Sequence, residues 1–232
     1  MKLLAIFAHP DDESFGPGGT LARYAYAGHK VGLVTLTRGE AGSVGISKTL
    51  TADELAERRT CELHHAVKIL GINYLKIGDL PDKKLAEVPD VTGIQLIQNE
   101  IDFFKPDALI TFHEQGISGH PDHQTVTRWL LELIKNSREP RSLFLYGVLL
   151  EQTEQIPRRR LLPMTMAEVT HKISVSDFLD TKIEAIKAHV TQEESWQRFI
   201  QPIEKIKISA RWEYFKQVWP RPGKNKDLQD SF

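Results

Sequence analysis

Two short motifs carry the side chains with the clearest capacity for chemistry. The first, AHPDDE at residues 8–13, directly follows an apolar run at 3–7, and the second, GHPDH at 119–123, follows another apolar run at 108–112. An apolar strand that ends in a polar turn is how open α/β sheets build their binding sites. Because the carboxyl ends of parallel strands meet at one edge of a sheet, the two motifs are predicted to form a single site.

The imidazole and carboxylate groups of these motifs match the ligand set of a catalytic metal, which takes three protein ligands and leaves a position for water. His9, Asp12 and His123 supply two imidazoles and one carboxylate, and a single cysteine in the chain excludes a cysteine-rich site. His120 and His123 are three positions apart at a helix start, so one can bind the ion while the other faces the substrate. We predict that His9, Asp12 and His123 hold Zn²⁺, or another divalent metal such as Fe²⁺.

The remaining polar residues complete a set for the attack of water on an amide. Adjacent side chains point apart, so Asp11 is better suited to accept a proton from the attacking water than to share the ion with Asp12. A carboxylate beside a dication also stays ionised at neutral pH. His120 would donate a hydrogen bond to the oxyanion or a proton to the leaving nitrogen. Asp122 is expected to orient an imidazole of the site from behind.

The elements that must position these motifs alternate between strands and helices. Apolar runs and amphipathic periodicity predict strands near 2–8, 30–37, 74–77, 108–112, 143–150 and 172–175, and helices near 20–27, 52–70, 91–104, after 120, and 176–194. This alternation predicts an α/β fold, a Rossmann-like three-layer sandwich with a mostly parallel central sheet.

The organisation of the chain is that of one domain over 1–232. Its last residues, 220–232, are polar and rich in Pro and Gly, so we expect a flexible tail. In the last third, Trp196, Trp212 and Trp219 are expected to pack the chain against the domain, and no strand is predicted after residue 175.

Composition bounds the partners. The 30 basic and 31 acidic residues give a formal net charge of -1, which does not favour nucleic acid or an anionic membrane as a partner. No apolar stretch is long enough to span a bilayer, and the N-terminal run is too short for a signal peptide, so we expect a cytoplasmic protein.

The loops at 41–51 and 151–169 are expected to determine which substrate binds. The second contains the basic run Arg158–Arg160, a solvated charge run or a contact for a phosphate-bearing substrate.

The motifs together resemble those of the LmbE-like, PIG-L-type zinc-dependent deacetylases, which remove acetyl groups from N-acetylglucosaminyl conjugates. The segments that carry the resemblance are Ala8–Glu13 with Gly18-Gly19-Thr20, Thr37-Arg38-Gly39-Glu40, Arg59 with Glu62 and Leu70-Gly71, Leu80-Pro81-Asp82, and His120–His123. The resemblance implies the LmbE-like fold, acetate release from an N-acetylglucosamine-type conjugate, a small-molecule sugar conjugate as partner, and self-association as a possibility.

The resemblance also implies roles for individual residues. The metal ligands, the base Asp11 and the transition-state role of His120 are the same as those argued above from the residues. To these it adds Arg59 and Asp82, which align with family positions near the site and are expected to bind substrate.

Three other functions compete with this interpretation. A nucleotide-binding Rossmann protein is disfavoured, because Leu21 stands where the third glycine of GxGxxG belongs and the carboxylates of the first motif would repel a pyrophosphate. A non-haem iron oxygenase uses the same two imidazoles and carboxylate but leaves Asp11 without a role. A catalytically silent sugar-binding protein would have no need to keep Asp11 and His120.

Overall fold

A twisted sheet of seven strands organises the computed structural model, which describes residues 1–45, 49–135, 142–153, 161–200, 206, 210–220 and 228–232. The strands in these residues are β1 (Lys2–Phe7), β2 (Lys30–Thr35), β3 (Tyr74–Ile77), β4 (Ala108–Phe112), β5 (Ser142–Gly147), β6 (His171–Ser174) and β7 (Trp212–Trp219). Their order across the sheet is β3-β2-β1-β4-β5-β7-β6. Strands β1 to β5 pair in parallel, and β7 is antiparallel to both β5 and β6. The predicted α/β fold with a mostly parallel sheet is confirmed.

Helices cover both faces of this sheet. Their bounds are α1 (Asp12–Phe15), α2 (Gly18–Tyr26), α3 (Ala52–Leu70), α4 (Asp90–Phe104), α5 (Gly116–Gly119), α6 (Pro121–Lys135), α7 (Leu150–Thr153), α8 (Leu179–Ala188) and α9 (Glu193–Ile200). Residues alternate between the faces of a strand, so Leu3, Ala5 and Phe7 of β1 join one core cluster with α2 and α3. Leu4 and Ile6 face the other way and pack with α4 and α6. Burial on both faces explains why β1 reads as an unbroken apolar run.

Helix α3 has strong local signals at both ends. Thr51 and Glu54 form a reciprocal capping box at its start, and Gly71 ends it in the left-handed region at φ 71°. The helix therefore has a fixed start and stop, as predicted, and it carries Arg59 and Glu62 on its buried face toward the edge of the sheet where the motifs lie.

The last third differs most from the prediction. Trp212 and Trp219 are the ends of strand β7, which lies between β5 and β6, so the sixth strand in sequence lies at the edge of the sheet. The predicted helix 176–194 is instead two 3₁₀ turns with α8 between them, followed by α9. Strand β7 comes from the end of the chain and lies between two other strands. Its sequence shows no clear alternation of apolar and polar residues, because the burial of each side chain depends on the neighbouring strands.

The end of the chain packs on the sheet. Phe232 stacks on Phe144 with ring centroids 4.2 Å apart, and its backbone N–H donates to the Tyr24 hydroxyl. Residues 228–232 of the tail that we expect to be flexible thus include an aromatic ring that packs on the core, and the flexibility of the tail stays a prediction. Residues 221–227 of that expectation, and the basic run Arg158–Arg160, lie outside the described residues.

A buried ion pair ties β7 to the segment behind the first motif. Glu213 accepts the backbone N–H groups of Gly19 and Thr20 at the start of α2, and the Lys182 ammonium donates to Glu213 and to the Gly16 carbonyl, at 2.6 Å each. The carboxylate thereby satisfies two backbone donors that a helix start leaves without partners.

Among the helices that the structure describes, none is long and apolar enough to cross a membrane.

Candidate metal centre and active site

Three side chains converge at the carboxyl ends of β1 and β4. His9 Nδ1 lies 3.3 Å from His123 Nε2, which lies 3.2 Å from one carboxylate oxygen of Asp12; the other Asp12 oxygen lies 3.5 Å from His9 Nδ1. We call His9, Asp12 and His123 the metal triangle. All three are buried. The two motifs, 111 residues apart in the chain, thus meet because β1 and β4 are neighbours in the sheet.

The metal triangle has spacings close to those between the ligand atoms of a tetrahedral metal site. Bonds of 2.0–2.1 Å to a tetrahedral ion put neighbouring ligand atoms about 3.3 Å apart. The two imidazole nitrogens lie 3.3 Å apart, and His123 Nε2 lies 3.2 Å from the nearer Asp12 oxygen. The donor set, two imidazole nitrogens and a carboxylate, suits zinc and other first-row divalent ions. These residues therefore fit a catalytic metal that keeps a fourth position for a non-protein ligand.

Hydrogen bonds behind His9 determine which of its nitrogens faces the triangle. Its Nε2 lies 3.0 Å from Asp82 Oδ1 and 3.1 Å from Asp122 Oδ2, and both oxygens can only accept while ionised. Nε2 therefore carries a proton, and Nδ1 is the nitrogen that faces the triangle and could bind an ion. Carboxylates in this position orient a metal-binding imidazole and raise its basicity.

Equivalent support exists for His123. Its Nδ1 lies 3.1 Å from the Gly116 carbonyl, which can only accept, so Nδ1 carries the proton and Nε2 is free to bind an ion. The ring also stacks on Phe112 at the end of β4, with centroids 4.4 Å apart. Backbone geometry after β4 thus fixes both the tautomer and the orientation of this ligand.

His120 is arranged to donate toward the same space. Its Nδ1 accepts the backbone N–H of Asp122 at 3.2 Å, which leaves the proton on Nε2. The ring lies 4.8 Å from the ring of His9 and 4.7 Å from that of His123. Burial, together with the charges of His123 and His9, lowers the pKa of His120 to about 4. A neutral imidazole with an N–H beside the metal triangle suits an oxyanion donor.

Because ligand atoms of His9, His120 and His123 all lie within 4.8 Å of one another, the three histidines are a second set that could reach one ion. His9, Asp82 and Asp122 form another set of the same reach, but there Nε2 already donates to both carboxylates. The hydrogen bond that His120 Nδ1 accepts does not occupy its Nε2. Measuring the metal content after substitution of each histidine in turn can therefore distinguish a metal ligand from a residue that only lies beside the ion.

Asp11 is held in an unusual backbone conformation next to the triangle. Its φ is 102°, in the left-handed region that costs a non-glycine residue about 1–3 kcal/mol. One carboxylate oxygen lies 3.1 Å from the Arg59 guanidinium. Burial raises the pKa of the Asp11 carboxyl, and Arg59 opposes that shift. In contrast, the pKa of Asp12 lies well below its usual range, because His123 and His9 outweigh the effect of its burial.

Arg59 lies behind Asp11 and is only 3% exposed. Besides Asp11, its guanidinium donates to the Gly39 carbonyl at 2.9 Å and to the Pro10 carbonyl. A Cβ at Gly39, whose φ is +71°, would lie 2.4 Å from the guanidinium, so the close approach requires glycine there. These contacts hold Arg59 against Asp11 and the loop after β2, and its expected role in substrate binding stays a prediction.

Asp82 is likewise committed to protein partners and 6% exposed. One oxygen contacts His9 Nε2, the other accepts the Ala41 backbone N–H at 2.9 Å, and the Asp82 N–H donates to Glu40 at 2.7 Å. Asp82 thus contacts the Nε2 side of His9, as Asp122 does, and its expected role in substrate binding stays a prediction. Asp122 also accepts the N–H groups of Lys83 and Leu85, which joins the two carboxylates through one loop.

Two buried residues of the site were not predicted from the sequence. Glu13 and His189 are both 0% exposed, and His189 Nε2 lies 2.7 Å from Glu13 Oε1. The other Glu13 oxygen accepts the backbone N–H of Asp11 at 3.0 Å. His189 begins the HVTQ segment at 189–192, which is a weaker point of resemblance to the same deacetylases.

An apolar cavity of about 90 Å³ borders Asp12 and His123 on the side of β4 and β5. Its walls include the aromatic rings of Phe112 and Tyr146 and the side chain of Val148. The cavity adjoins the metal triangle, so an apolar group attached to a reacting carbonyl could enter it.

Comparison with known proteins adds a family match over the first part of the chain. Residues 4–134 match the family model described as PIG-L, GlcNAc-PI de-N-acetylase. A relative from Acidothermus cellulolyticus, named 1D-myo-inositol 2-acetamido-2-deoxy-alpha-D-glucopyranoside deacetylase, is 31% identical over 236 residues, covering 82% of this chain and 79% of the relative.

Solved structures share the fold. The N,N'-diacetylchitobiose deacetylase from Pyrococcus horikoshii matches with a TM-score of 0.72 at 20% identity, covering 96% of this chain and 87% of the other. GalB, the 4-carboxy-2-hydroxymuconate hydratase from Pseudomonas putida KT2440, matches with a TM-score of 0.70 at 19% identity, covering 97% and 98%. A deacetylase and a hydratase thus have similar folds, so the reaction must be argued from the site.

Proposed function

This chain belongs to the PIG-L, GlcNAc-PI de-N-acetylase, family, and we propose that it is a metal-dependent deacetylase of an N-acetylglucosamine-type sugar conjugate. The substrate would be the N-acetyl amide, and the products would be acetate and the free amine. The observation that carries the proposal is the metal triangle with Asp11 beside it: two imidazole nitrogens and a carboxylate at ligand spacing adjoin a second carboxylate, which Arg59 holds.

His9 Nδ1, Asp12 and His123 Nε2 would hold the ion, and Zn²⁺ is the ion that their number and type suit best. A divalent ion there supplies Lewis-acid polarisation of the amide carbonyl and lowers the pKa of water. Asp82 and Asp122 would keep His9 Nδ1 directed at the ion, and the Gly116 carbonyl would do the same for His123 Nε2.

Asp11 would act as general base. Its carboxylate accepts a proton from the attacking water as the new C–O bond forms, and it returns that proton to the nitrogen as the C–N bond breaks. Arg59 fixes one oxygen of that carboxylate, which leaves the second to face the reacting water. His120 donates its Nε2 proton in a hydrogen bond to the developing oxyanion. Atoms balance as one amide and one water giving one acetate and one amine.

The apolar cavity beside Asp12 and His123 would receive the methyl of the acetyl group. It holds about 90 Å³, and since a water molecule occupies roughly 30 Å³ of liquid, a propionyl group would also fit. The sugar would then extend the other way, toward solvent.

The test is acetate release by metal-loaded protein from a panel of N-acetylglucosamine conjugates that differ in aglycone, with the N-propionyl analogue of each. We expect equimolar acetate and free amine from at least one conjugate, abolished by a chelator and restored by Zn²⁺. Hydrolysis of no conjugate by protein that carries one metal ion per chain would contradict the proposal.

A further inference from the structure

Glu13 and His189 form a buried pair that the reaction does not use directly. Glu13 Oε1 accepts from the Ser14 hydroxyl at 2.6 Å and from His189 Nε2 at 2.7 Å. Two donors on one oxygen hold the carboxylate in a single orientation. Its second oxygen, Oε2, is then fixed in space, and it accepts the Asp11 backbone N–H at 3.0 Å.

The Asp11 backbone needs such a contact. Its φ of 102° is unfavourable for a residue with a side chain, and this conformation persists only where the surroundings determine it. On the side-chain side, Arg59 fixes the carboxylate and also donates to the Pro10 carbonyl just before it. On the backbone side, the Glu13 carboxylate holds the N–H. The base is therefore held from two directions.

Helix α3 connects these two supports. Glu62, one turn after Arg59, accepts the backbone N–H of Thr191 at 2.9 Å and its hydroxyl at 2.7 Å. Those contacts fix the 3₁₀ turn Val190–Gln192, which directly follows His189. A segment from the last third of the chain thereby reaches the loop after β1 through one buried histidine.

We propose that Glu13 and His189 are positioning residues that hold the Asp11 backbone so that its carboxylate faces the reacting water. Glu13 acts through its hydrogen bond to Asp11, and His189 acts through Glu13. The inference rests on the proposed function, because it concerns the base of that reaction. Displacing a reacting group by 1 Å can cost about 100-fold in rate, so a displaced Asp11 would lower kcat while the metal triangle stays intact.

A double-mutant cycle between Glu13 and Asp11 tests the proposal. Glu13→Met replaces the carboxylate by an apolar chain of similar length and is expected to lower kcat about 10- to 100-fold, with KM and one metal per chain retained. In the Asp11→Asn background the same substitution is expected to lower kcat less than about twofold, because there is no base left to misplace.

The matched control is Asp107→Leu at the opposite end of β1. The Asp107 carboxylate also accepts a backbone N–H, that of Lys2 at 2.8 Å, across the sheet. Its removal is expected to lower Tm and leave kcat unchanged. An equal fall in kcat on Glu13→Met in both backgrounds would overturn the inference, and so would metal loss parallel to the fall in kcat. Wild-type kcat in Asp11→Asn alone would overturn the base assignment of the proposed function as well.

A second pair of variants keeps the test decisive if Glu13→Met does not fold. His189→Gln keeps an N–H donor at a reach similar to that of Nε2, and His189→Leu removes it. We expect His189→Gln to recover most of the kcat that His189→Leu loses, at equal metal content. Equal kcat values for the two variants would overturn the proposed role of His189.

Discussion

The metal triangle and the residues around Asp11 adjoin each other yet are built in opposite ways. In the triangle, His9 Nδ1, His123 Nε2 and the Asp12 carboxylate face one another at 3.2–3.5 Å, with the remaining ring nitrogens bonded to protein. Around Asp11, the Glu13 carboxylate and the terminal nitrogens of the Arg59 guanidinium instead have partners in the same chain.

This difference shows how to separate two kinds of buried polar residue. Imidazole nitrogens and a carboxylate that converge in a buried space are donor atoms that a single cation can join, so they indicate a ligand site. Groups with saturated hydrogen bonds need nothing from outside and act by position. Asp11 has features of both kinds. Arg59 holds one of its carboxylate oxygens, and its backbone is in a strained conformation.

The strongest way to break the triangle is His123→Ala. Removal of one of three ligands leaves an incomplete site, and we expect metal content below about a tenth of an ion per chain and acetate release lowered more than about 1,000-fold. Metal analysis of purified protein and the acetate assay measure the two effects. Wild-type metal content in this variant would exclude His123 as a ligand.

The next largest effect is expected for His120→Ala, which tests whether the third histidine belongs to the triangle. As an oxyanion donor, His120 is expected to be worth about 100- to 1,000-fold in kcat, with metal stoichiometry unchanged. Comparison with His123→Ala under the same metal analysis separates donor from ligand. If His120→Ala lost its metal and His123→Ala kept it, the roles of the two histidines would have to be exchanged.

A smaller effect is expected behind the triangle. Asp82→Asn can still accept one hydrogen bond but removes a charge 3.0 Å from His9 Nε2. Substitutions at such outer partners lower metal affinity about 10- to 100-fold, which competition with a chelator of known affinity measures. Excess metal should restore kcat to near the wild-type value. A fall in kcat that saturating metal does not reverse would instead indicate direct contact with the substrate.

The sequence was sufficient to predict the parts of the fold that have local signals. The apolar runs of β1 and β4 and the capped helix α3 appear where the pattern predicts them, since burial on both faces and helix caps leave marks within a few residues. Strand β7 could not be predicted in this way, because its place between β5 and β6 is set by partners from other parts of the chain.

The same division applies to the site. The spacing and the residue types of the two motifs were sufficient to predict that they form one site, because only certain residue types can bind a metal ion. The partners of the ligands and of the base are specified by contact alone. Arg59 and Asp82 are expected to bind substrate because they align with family positions near the site, and the structure adds that both are buried and bonded to protein groups. Glu13 and His189 are 176 residues apart in the chain, so their contact cannot be predicted from a local sequence pattern.

The assignment of Asp11 as the base is tested most directly by Asp11→Asn, measured for metal content and acetate release in the same preparation. Asp11 and Asp12 are neighbours in sequence, but we assign Asp11 as the general base and Asp12 as a metal ligand. We therefore expect Asp11→Asn to bind one metal ion per chain and to have a kcat lowered by about 10²- to 10⁴-fold. Wild-type turnover by the metal-loaded variant, or loss of the metal in Asp11→Asn, would contradict this assignment.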